Sequence, residues 1–291
     1  MGIPKTKLKV EIRNPLKRRD IFRCTHTAHK NFDFSVSAYH ILEVKKCYPD
    51  GCINFHWNCS ALKQGQRCHR GFTTPGKDCT YCRNFTEDKN QRIPKLLVSA
   101  EEYDNFLDEL REFEFYFENI KFKRIEFSGI VQYVKPLIVE NGSQNGRKAE
   151  GFLMGFARGY FGTDFINDKL YAHISLSLQQ RYGFRAGDRV EFYCYAALER
   201  GRIILMRLKS PIFSERGDGY IWDKSKASAA ISSGKFLKSK PKKCRRCPMG
   251  ILVDTESERC HGNHRRIFCL QGVENPRECV YKIYEDYIKK E

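Results

Sequence analysis

Two segments of the chain, one near each end, carry cysteines in the same order and at nearly the same spacing. Each reads Cys-x8-Cys-x2-Gly-x3-Pro and, after two or three further residues, Cys; one begins at Cys59 and the other at Cys260. The glycine allows a backbone turn and the proline stiffens the loop, so that thiols from distant positions converge. Four converging thiolates fit one tetrahedral zinc ion or one 4Fe–4S cluster. The repeat therefore predicts two small modules, each stabilised by a metal.

The two modules contain more cysteines than two four-coordinate sites require. Cys52 precedes the first repeat and Cys247 the second, so that each module has a matched set of four: Cys52, Cys59, Cys68 and Cys79 in the first, and Cys247, Cys260, Cys269 and Cys279 in the second. Each module also has one Cys-x2-Cys pair, Cys79/Cys82 and Cys244/Cys247. We expect zinc, the commoner metal in basic proteins of the nucleic-acid-binding type. A 4Fe–4S cluster is the alternative, because zinc ribbons usually bring two closely spaced cysteine pairs and each module brings one. The expected metal ligands are Cys52, Cys59, Cys68, Cys79, Cys82, Cys244, Cys247, Cys260, Cys269 and Cys279.

The remaining cysteines leave a second site in the first module open. Cys24, His26 and His29 are close together in the sequence, and Cys47 lies close to the first repeat. These four residues predict either a second metal site or a surface histidine cluster beside a buried thiol. Cys194 stands alone between the modules, and we expect it in the core.

Positive charge dominates the chain and is unevenly placed. The chain has 52 Lys and Arg against 35 Asp and Glu, which gives a formal net charge of +17. The excess falls within 1–97, 121–216 and 217–291, whereas 98–120 is acidic. Basic regions interleaved with aromatic residues attract polyanions, so nucleic acid, either single-stranded or structured and either DNA or RNA, is the expected partner.

The sequence shows no apolar segment of the kind that directs a chain to a membrane. The first 20 residues are basic without the apolar core of a secretory signal, and no apolar run approaches the ~18–20 residues of a membrane span. We therefore expect a cytoplasmic protein without a membrane partner. Its 13 cysteines should then stay reduced and available to metals.

The acidic segment 98–120 predicts an amphipathic helix. Ser99 and Glu102 have the spacing of a capping box, in which each side chain bonds the backbone N–H of the other residue. Apolar residues follow at the i, i+3, i+4 spacing of one helix face. This face comprises Tyr103, Phe106, Leu107, Leu110, Phe113 and Tyr116. The charged residues on the other side are those of a solvated helix surface.

Residues 121–216 predict five strands with a short helix after the third. The candidate strands are 121–140, 151–161, 169–175, 189–197 and 203–209, and the helix is Leu176–Tyr182. Gly129, inside the first strand, predicts a bulge or bend. This order, together with the G-x-x-x-G-D-x-V-x-F stretch from Gly183 to Phe192, resembles an OB-fold, a small Greek-key barrel. The resemblance covers 121–209 and implies oligonucleotide binding on strands two and three and the neighbouring loops.

Period-2 alternation sorts the side chains of these strands by face. If Val190, Phe192 and Cys194 point inward, Tyr193 and Tyr195 point outward. The same rule places Leu170 and Ala172 on the face opposite Tyr171 and His173. It places Met206 and Leu208 on the face opposite Arg207 and Lys209. On the second strand it places Phe156, Arg158 and Tyr160 together on one face. Outward aromatic and basic residues form the stacking surface that single-stranded nucleic acid needs. The expected binding residues are Arg158, Tyr160, Tyr171, His173, Arg189, Tyr193, Tyr195, Arg207, Lys209, Lys242, Lys243, Arg245, Arg246, Arg265 and Arg266.

These observations predict an α+β protein, mainly β, with a central five-stranded OB-like barrel, an acidic helix and two small metal-stabilised Cys modules. The expected segments are a first module (1–97), the helix (98–120), the barrel (121–216), a basic linker rich in Ser, Ala and Gly (217–243) and a second module (244–291). The sequence has no Walker A loop, G-x-S-x-G elbow or H-E-x-x-H motif, so we expect binding rather than catalysis. The alternatives are an iron–sulfur enzyme or redox sensor, and a scaffold subunit that docks other proteins of a nucleoprotein complex.

Overall fold

The computed structural model describes residues 10–26, 29, 34–141, 146–239, 243–244, 247, 249–257 and 262–280. The chain divides into two compact units. One comprises residues 14–114, and the other comprises residues 1–13 together with 115–291. Both contain strands and helices, and strands predominate, as the sequence predicts.

The described elements are as follows. The strands are β1 (Glu11–Ile12), β2 (Phe22–Arg23), β3 (Cys52–Cys59), β4 (Phe85–Arg92), β5 (Lys95–Leu96), β6 (Ile125–Asn141), β7 (Gly146–Phe161), β8 (Asp164–Ile166), β9 (Leu170–Ser175), β10 (Arg189–Glu199), β11 (Arg202–Glu215), β12 (Lys235–Phe236), β13 (Gly250–Ser257) and β14 (Gly262–Cys269). The α-helices are α1 (Ser60–Lys63), α2 (Ala100–Ile120), α3 (Leu176–Tyr182) and α4 (Lys224–Ser233). Shorter helical segments are the π-helix His40–Val44 and the 3₁₀ turns Pro15–Lys17, Lys77–Cys79 and Pro276–Glu278.

The acidic helix predicted at 98–120 is confirmed as α2. Its capping box is formed: the Ser99 N–H donates to Glu102 Oε2 at 2.8 Å, and the Glu102 N–H donates to Ser99 Oγ at 3.2 Å. Phe106, Leu110 and Phe113 on the predicted apolar face are buried. The helix is therefore stabilised both by the hydrogen bonds at its N-terminus and by the burial of one of its faces.

Five strands of the larger unit form a continuous ring of hydrogen-bonded neighbours. β6 pairs with β7, β7 with β9, β9 in parallel with β11, β11 with β10, and β10 returns to β6. The ring is not closed into a regular barrel. The predicted order of three strands, a helix and two strands is confirmed, since α3 follows β9. The additional strands β8 and β1 extend the sheet beyond the edge of β7.

Aromatic rings fill the interior of this strand ring. The Phe127 ring centroid lies 4.7 Å from that of Phe156 and 5.0 Å from that of Phe192. Gly129 and Gly159 are paired across β6 and β7 beside Phe127. A Cβ on Gly129 would lie 2.7 Å from Phe127 Cζ, so the two glycines leave the space that the ring occupies. The strand register also shifts after Gly129, which confirms the predicted irregularity.

The alternation predicted for β10 is confirmed, because Val190, Phe192 and Cys194 are all buried. The same rule fails on β7. Between the pairs Gly129–Gly159 and Val131–Phe156, β7 uses one residue more than β6. This bulge reverses the face, so Phe156 is buried whereas Arg158 and Tyr160 are exposed. The prediction that these three share one face was wrong.

A second irregularity lies in β11. Tyr193 pairs with Lys209 and Tyr195 with Met206, so β11 again contributes an extra residue. Arg207 has a positive φ of 55°, which marks the bulge. Met206 is consequently 38% exposed, contrary to the predicted inward position, while Leu208 is buried as predicted.

The segment 225–234, interpreted from its composition as part of a linker, instead forms most of helix α4. The Asp223 side chain caps the helix by accepting from the Lys226 N–H at 2.8 Å. Ala227 and Ile231 are buried, so one face of the helix packs. Beyond α4, strands β12, β14 and β13 form a three-stranded sheet in that order, which we call the C-terminal sheet.

The turn between α3 and β10 depends on one buried carboxylate. Asp188 is fully buried, and its two oxygens accept from the Arg185 N–H and the Gly217 N–H, each at 2.9 Å. Arg216 lies 3.4 Å from Oδ1 and adds a charged partner. Asp188 therefore ties the start of β10 to the segment that follows β11.

We predict that Asp188→Ala lowers the free energy of unfolding by about 2–4 kcal/mol, because it leaves two partly buried N–H donors and a guanidinium without their acceptor. Urea unfolding of the full chain measures this change. The control is Asp218→Ala, an exposed neighbour whose loss should change stability by less than about 0.5 kcal/mol. Equal effects of the two substitutions would contradict the assignment.

Candidate nucleic-acid groove and cysteine clusters

A groove of about 610 Å³ runs over the outer face of the strand ring. Its lining comes from β6, β7, β9, the end of β10, the start of β11 with the turn between them, and β13 of the C-terminal sheet. The aromatic residues Tyr133 and Tyr171 line it together with His173. Its charged lining residues are Lys135, Lys169, Arg200, Arg202 and Glu199. The groove therefore combines stacking surfaces with an excess of positive charge.

Two tyrosines and an arginine stand together in this groove. Tyr133 lies across β7 at Gly155, where an added Cβ would be 2.7 Å from the Tyr133 hydroxyl oxygen. Burial and the neighbouring Tyr171 raise the pKa of Tyr133 to about 12, whereas Arg202 acts in the opposite direction. The Arg202 guanidinium lies 5.7 Å from the centre of the Tyr171 ring. Gly155 thus leaves room for an aromatic side chain that β7 would otherwise exclude.

Lys135 attaches the C-terminal sheet to the ring and forms part of the groove lining. Its buried Nζ donates to the carbonyl oxygens of Cys247 at 2.7 Å and Gly250 at 2.9 Å. It also lies 4.8 Å from the centre of the Tyr133 ring. Burial lowers the pKa of Lys135 to about 8, partly offset by the Cys247 thiol. This single side chain therefore positions Gly250, from which the β13 wall of the groove begins.

The residues predicted to bind nucleic acid do not form one surface. Of those on the strand ring, only Tyr171 and His173 line the groove. Arg189, Tyr193, Tyr195, Arg207 and Lys209 lie on the outer side of β10 and β11, where Arg124 stacks 4.3 Å from the Tyr193 ring and Arg207 5.9 Å from the Tyr195 ring. Arg158 and Tyr160 lie at another place on β7, with Tyr160 packed against Phe165.

The basic run that enters the second module is described only in part. Lys243 is exposed, and the Arg266 guanidinium lies 4.0 Å from the centre of the Phe236 ring. Lys242, Arg245 and Arg246 lie outside the described residues, and for Arg265 only the backbone is described. Their predicted role stays a prediction.

Sequence reasoning missed the groove residues Tyr133, Lys135, Lys169 and Arg202. Tyr133 and Lys135 are two apart on a strand, which is a signal that they share a face. Their importance depends on Gly155 and on the carbonyl oxygens of Cys247 and Gly250. Those partners are distant in sequence, and only the folded register brings them together.

Strand β3 separates two cysteines that the repeat would place in one site. Cys52 pairs with Arg92 at one end of the β3–β4 hairpin, and Cys59 pairs with Phe85 at the other. Seven residue steps of extended chain span about 23 Å. The matched set of Cys52, Cys59, Cys68 and Cys79 therefore does not form one tetrahedral site while β3 is intact.

Three other cysteines of the first module, Cys68, Cys79 and Cys82, lie toward the Cys59 end of the hairpin. Phe85, opposite Cys59, donates its N–H to the Cys82 carbonyl oxygen at 2.9 Å, and the Cys82 N–H donates to the Cys79 carbonyl oxygen at 2.8 Å. The Arg70 guanidinium donates to the Asp78 carbonyl oxygen at 2.6 Å, which ties the turn after Cys68 to this region. Cys59, Cys68, Cys79 and Cys82 thus form what we call the hairpin-end cluster.

The Cys68 thiol lies in a turn that favours its ionised form. Its sulfur accepts from the Arg70 N–H at 3.4 Å. This N–H, followed by that of Phe72, lowers the pKa of the Cys68 thiol. Backbone N–H groups directed at a sulfur stabilise a thiolate, which is the form that binds metal.

The sequence repeat is also a repeat of local structure. Gly71 and Gly272 both have positive φ, at 76° and 71°. Their N–H groups donate to the carbonyl oxygens of Cys68 at 2.9 Å and Cys269 at 3.1 Å. A 3₁₀ turn follows in each module, Lys77–Cys79 in the first and Pro276–Glu278 in the second.

In the second module three cysteines lie around the start of the β13–β14 hairpin. Cys269 pairs with Gly250, whose N–H donates to the Cys247 carbonyl oxygen at 3.1 Å, and an added Cβ on Gly250 would meet the Cys244 carbonyl oxygen. Cys279 follows the 3₁₀ turn Pro276–Glu278. We call Cys244, Cys247, Cys269 and Cys279 the second-module cluster. Cys260 lies outside the described residues, and the chain between it and Cys269 includes all of β14. Across the described ranges of the chain, no three His, Cys, Asp or Glu side chains are grouped closely enough to hold a metal ion as they stand.

Comparisons of the chain with protein-family models, with curated proteins and with solved structures found no match. Among the residues that the structure describes, no helix is both long enough and apolar enough to cross a membrane. The function therefore has to be argued from the groove and the cysteine clusters themselves.

We predict that Lys135 makes stability depend on pH. The folded-state pKa of about 8 lies below the ordinary 10.5, so between these values the unfolded chain binds the proton that the folded chain has lost. This group therefore adds stability as pH rises from 8 to 10.5, by up to about 3 kcal/mol. Urea unfolding at several pH values should show this rise in the wild type relative to Lys135→Met. The control is Lys169→Met, which removes an exposed groove lysine and should keep the rise. If the free energies of unfolding of wild type and Lys135→Met changed in parallel with pH, the lowered pKa of Lys135 would be contradicted.

Proposed function

We propose that this protein binds single-stranded nucleic acid in the groove over β7 and β9. The observation that carries the proposal is the meeting of Tyr133, Tyr171 and Arg202 in one groove on the ring. Aromatic side chains on which bases stack, beside cations that meet the phosphates, are the means by which proteins bind single strands without reading sequence. The groove volume lies within the range of about 300–1,000 Å³ typical of ligand sites.

The strand order supports this proposal, because it agrees with an OB-like barrel. The helix α3 lies between the third and fourth strands of the ring, and the third and fifth strands are β9 and β11, which pair in parallel. In OB-folds the second and third strands and the adjoining loops bind oligonucleotides. Here those strands are β7 and β9, and both line the groove.

Charge supports the same partner. The groove is lined by two lysines and two arginines against one glutamate, and the whole chain has a net charge of +17. A polyanion that enters the groove displaces counterions, so its affinity should fall steeply with salt. DNA and RNA share this chemistry, and both belong in the first binding assay.

We further propose that the hairpin-end cluster and the second-module cluster each hold a structural zinc ion. Each cluster contains four cysteines, and four thiolates complete a tetrahedral zinc site without an open position for chemistry. The donor chemistry of the Cys68 turn fits a bound cation. In the second module, zinc would fix Cys247, which accepts from Lys135 and so adjoins the β13 wall of the groove. The zinc sites would thus support binding and take no part in a reaction.

We predict that Tyr171→Ala weakens binding of a labelled single-stranded oligonucleotide by about 5–100-fold, because one stacked base is worth about 1–3 kcal/mol. Arg202→Ala should weaken it and also reduce the slope of log affinity against log salt by about one. Fluorescence anisotropy with DNA and RNA probes over a range of salt concentrations measures both effects.

The matched controls are Tyr193→Ala and Arg207→Ala, which remove the same side-chain types from the outer side of β10 and β11. Both should bind like the wild type. Equal losses in the controls and in the groove variants would overturn the placement of the site. Failure of the wild type to bind either probe at low salt would overturn the proposed function.

We predict that the purified full chain contains zinc and that Cys68→Ser and Cys247→Ser each lose about one equivalent, because each removes one ligand of a four-coordinate site. Inductively coupled plasma mass spectrometry measures the metal. Cys194→Ser, a buried cysteine of the ring core, is the control and should retain full zinc. Iron with acid-labile sulfide and visible absorption near 400 nm would replace zinc with the 4Fe–4S alternative.

A further inference from the structure

We propose that Cys24, Cys47 and Cys52, together with His29, form a further thiolate–imidazole metal site in the 14–114 unit, separate from the hairpin-end cluster. The proposal does not depend on nucleic-acid binding. It moves Cys52 out of the site suggested by the sequence repeat and gives it new partners.

Hydrogen bonds of the backbone and of the Arg92 guanidinium connect the three chain segments that carry the cysteines. Cys24 follows β2, Cys47 follows the π-helix, and Cys52 opens β3. The Gly51 N–H donates to the Cys47 carbonyl oxygen at 2.7 Å, which closes a turn that leads directly into Cys52. Arg92, the strand partner of Cys52, donates to the carbonyl oxygen of Thr25 at 2.7 Å and so holds the Cys52 end of the hairpin beside the Cys24 segment.

Two of the three thiols are almost fully withdrawn from solvent. Cys24 is 1% exposed and Cys47 is 2% exposed, whereas Cys52 is partly exposed. The Cys47 thiol lies near enough to the Cys52 and Cys24 thiols to interact electrostatically with both. Three thiols that meet from three chain segments are donors that a soft divalent cation can hold.

The proposed fourth donor, His29, is tied by backbone hydrogen bonds to the Cys24 segment. The Cys24 N–H donates to the Phe34 carbonyl oxygen at 3.1 Å, and the Phe34 N–H donates to the His29 carbonyl oxygen at 3.2 Å, so His29 is tied to the Cys24 segment. His29 Nδ1 is buried and has no hydrogen-bond partner. A buried polar atom left unpaired points to an ion or a water at that position.

A second histidine orients the first. His29 Nε2 lies 3.1 Å from His40 Nε2, which is a hydrogen-bonding distance. This contact uses Nε2 of His29 and leaves its Nδ1 available to a metal. A histidine ligand whose other nitrogen is fixed by a neighbour is the usual arrangement around a metal.

This donor set selects zinc. Three thiolates and one imidazole match the Cys₃His structural zinc sites and leave no open coordination position. The side chains do not converge on one point as they stand, so their arrangement has to change when the metal binds. Binding would release thiol protons and link the three segments, so the metal would stabilise the fold of this unit.

The test is the zinc content of the full chain and of single variants. Cys24→Ser, Cys47→Ser and Cys52→Ser should each lose one zinc equivalent and keep the zinc of the other clusters, as measured by native mass spectrometry. Cys194→Ser should lose none. In the double variant Cys47→Ser/Cys68→Ser the losses should add to two equivalents, because the sites are separate. Full zinc in Cys47→Ser, or a double variant that loses no more than Cys68→Ser alone, would overturn the proposal.

A second variant covers the case in which removal of a cysteine prevents folding. His29→Gln keeps all thiols, and in cobalt-substituted protein it should change the visible ligand-field bands of one cobalt equivalent. His56→Gln, whose imidazole lies on the exposed β3–β4 hairpin, should leave those bands unchanged. A spectrum of His29→Gln that is identical to the wild type would overturn the assignment of His29 as a ligand.

Discussion

The return of β10 to β6 is the pairing on which the rest of the larger unit depends. Because it closes the five strands into a ring, the strands acquire an inside, packed by Phe127, Phe156 and Phe192, and an outside available to ligands. The Asp188 turn holds the start of β10 for this pairing. The groove then follows, since β7 and β9 are fixed side by side and their outward side chains share one surface.

The sequence predicted the parts of this fold that depend on local chemistry. The capping box of α2, the apolar face of the helix and the strict alternation of β10 all follow from neighbours a few residues apart, and each is present. The failures have one cause in common. Extra residues in β7 and β11 reverse the faces of Arg158, Tyr160 and Met206, and such bulges arise from strand pairing that a period-2 pattern does not contain. The groove residues Tyr133 and Lys135 were also not predicted. Their roles depend on Gly155, Cys247 and Gly250, and only the folded strands bring these partners close.

The cysteines show a similar division between local and distant information. The Cys-x2-Gly repeat correctly marked a turn that occurs twice, with a left-handed glycine after Cys68 and after Cys269. It could not show that β3 would hold Cys52 and Cys59 at opposite ends of a hairpin. Spacing in sequence therefore identified the thiols that belong to turns, whereas the length of β3 keeps Cys52 and Cys59 apart.

The most direct test of the account is to map where a single strand contacts the protein. Ultraviolet crosslinking of a thymidine- or uridine-rich oligonucleotide, followed by mass spectrometry of the peptides, identifies the contacted residues. The account predicts crosslinks in the peptides that contain Tyr133 and Tyr171, lost at high salt. Crosslinks confined to the outer side of β10 and β11, or none at low salt, would contradict it.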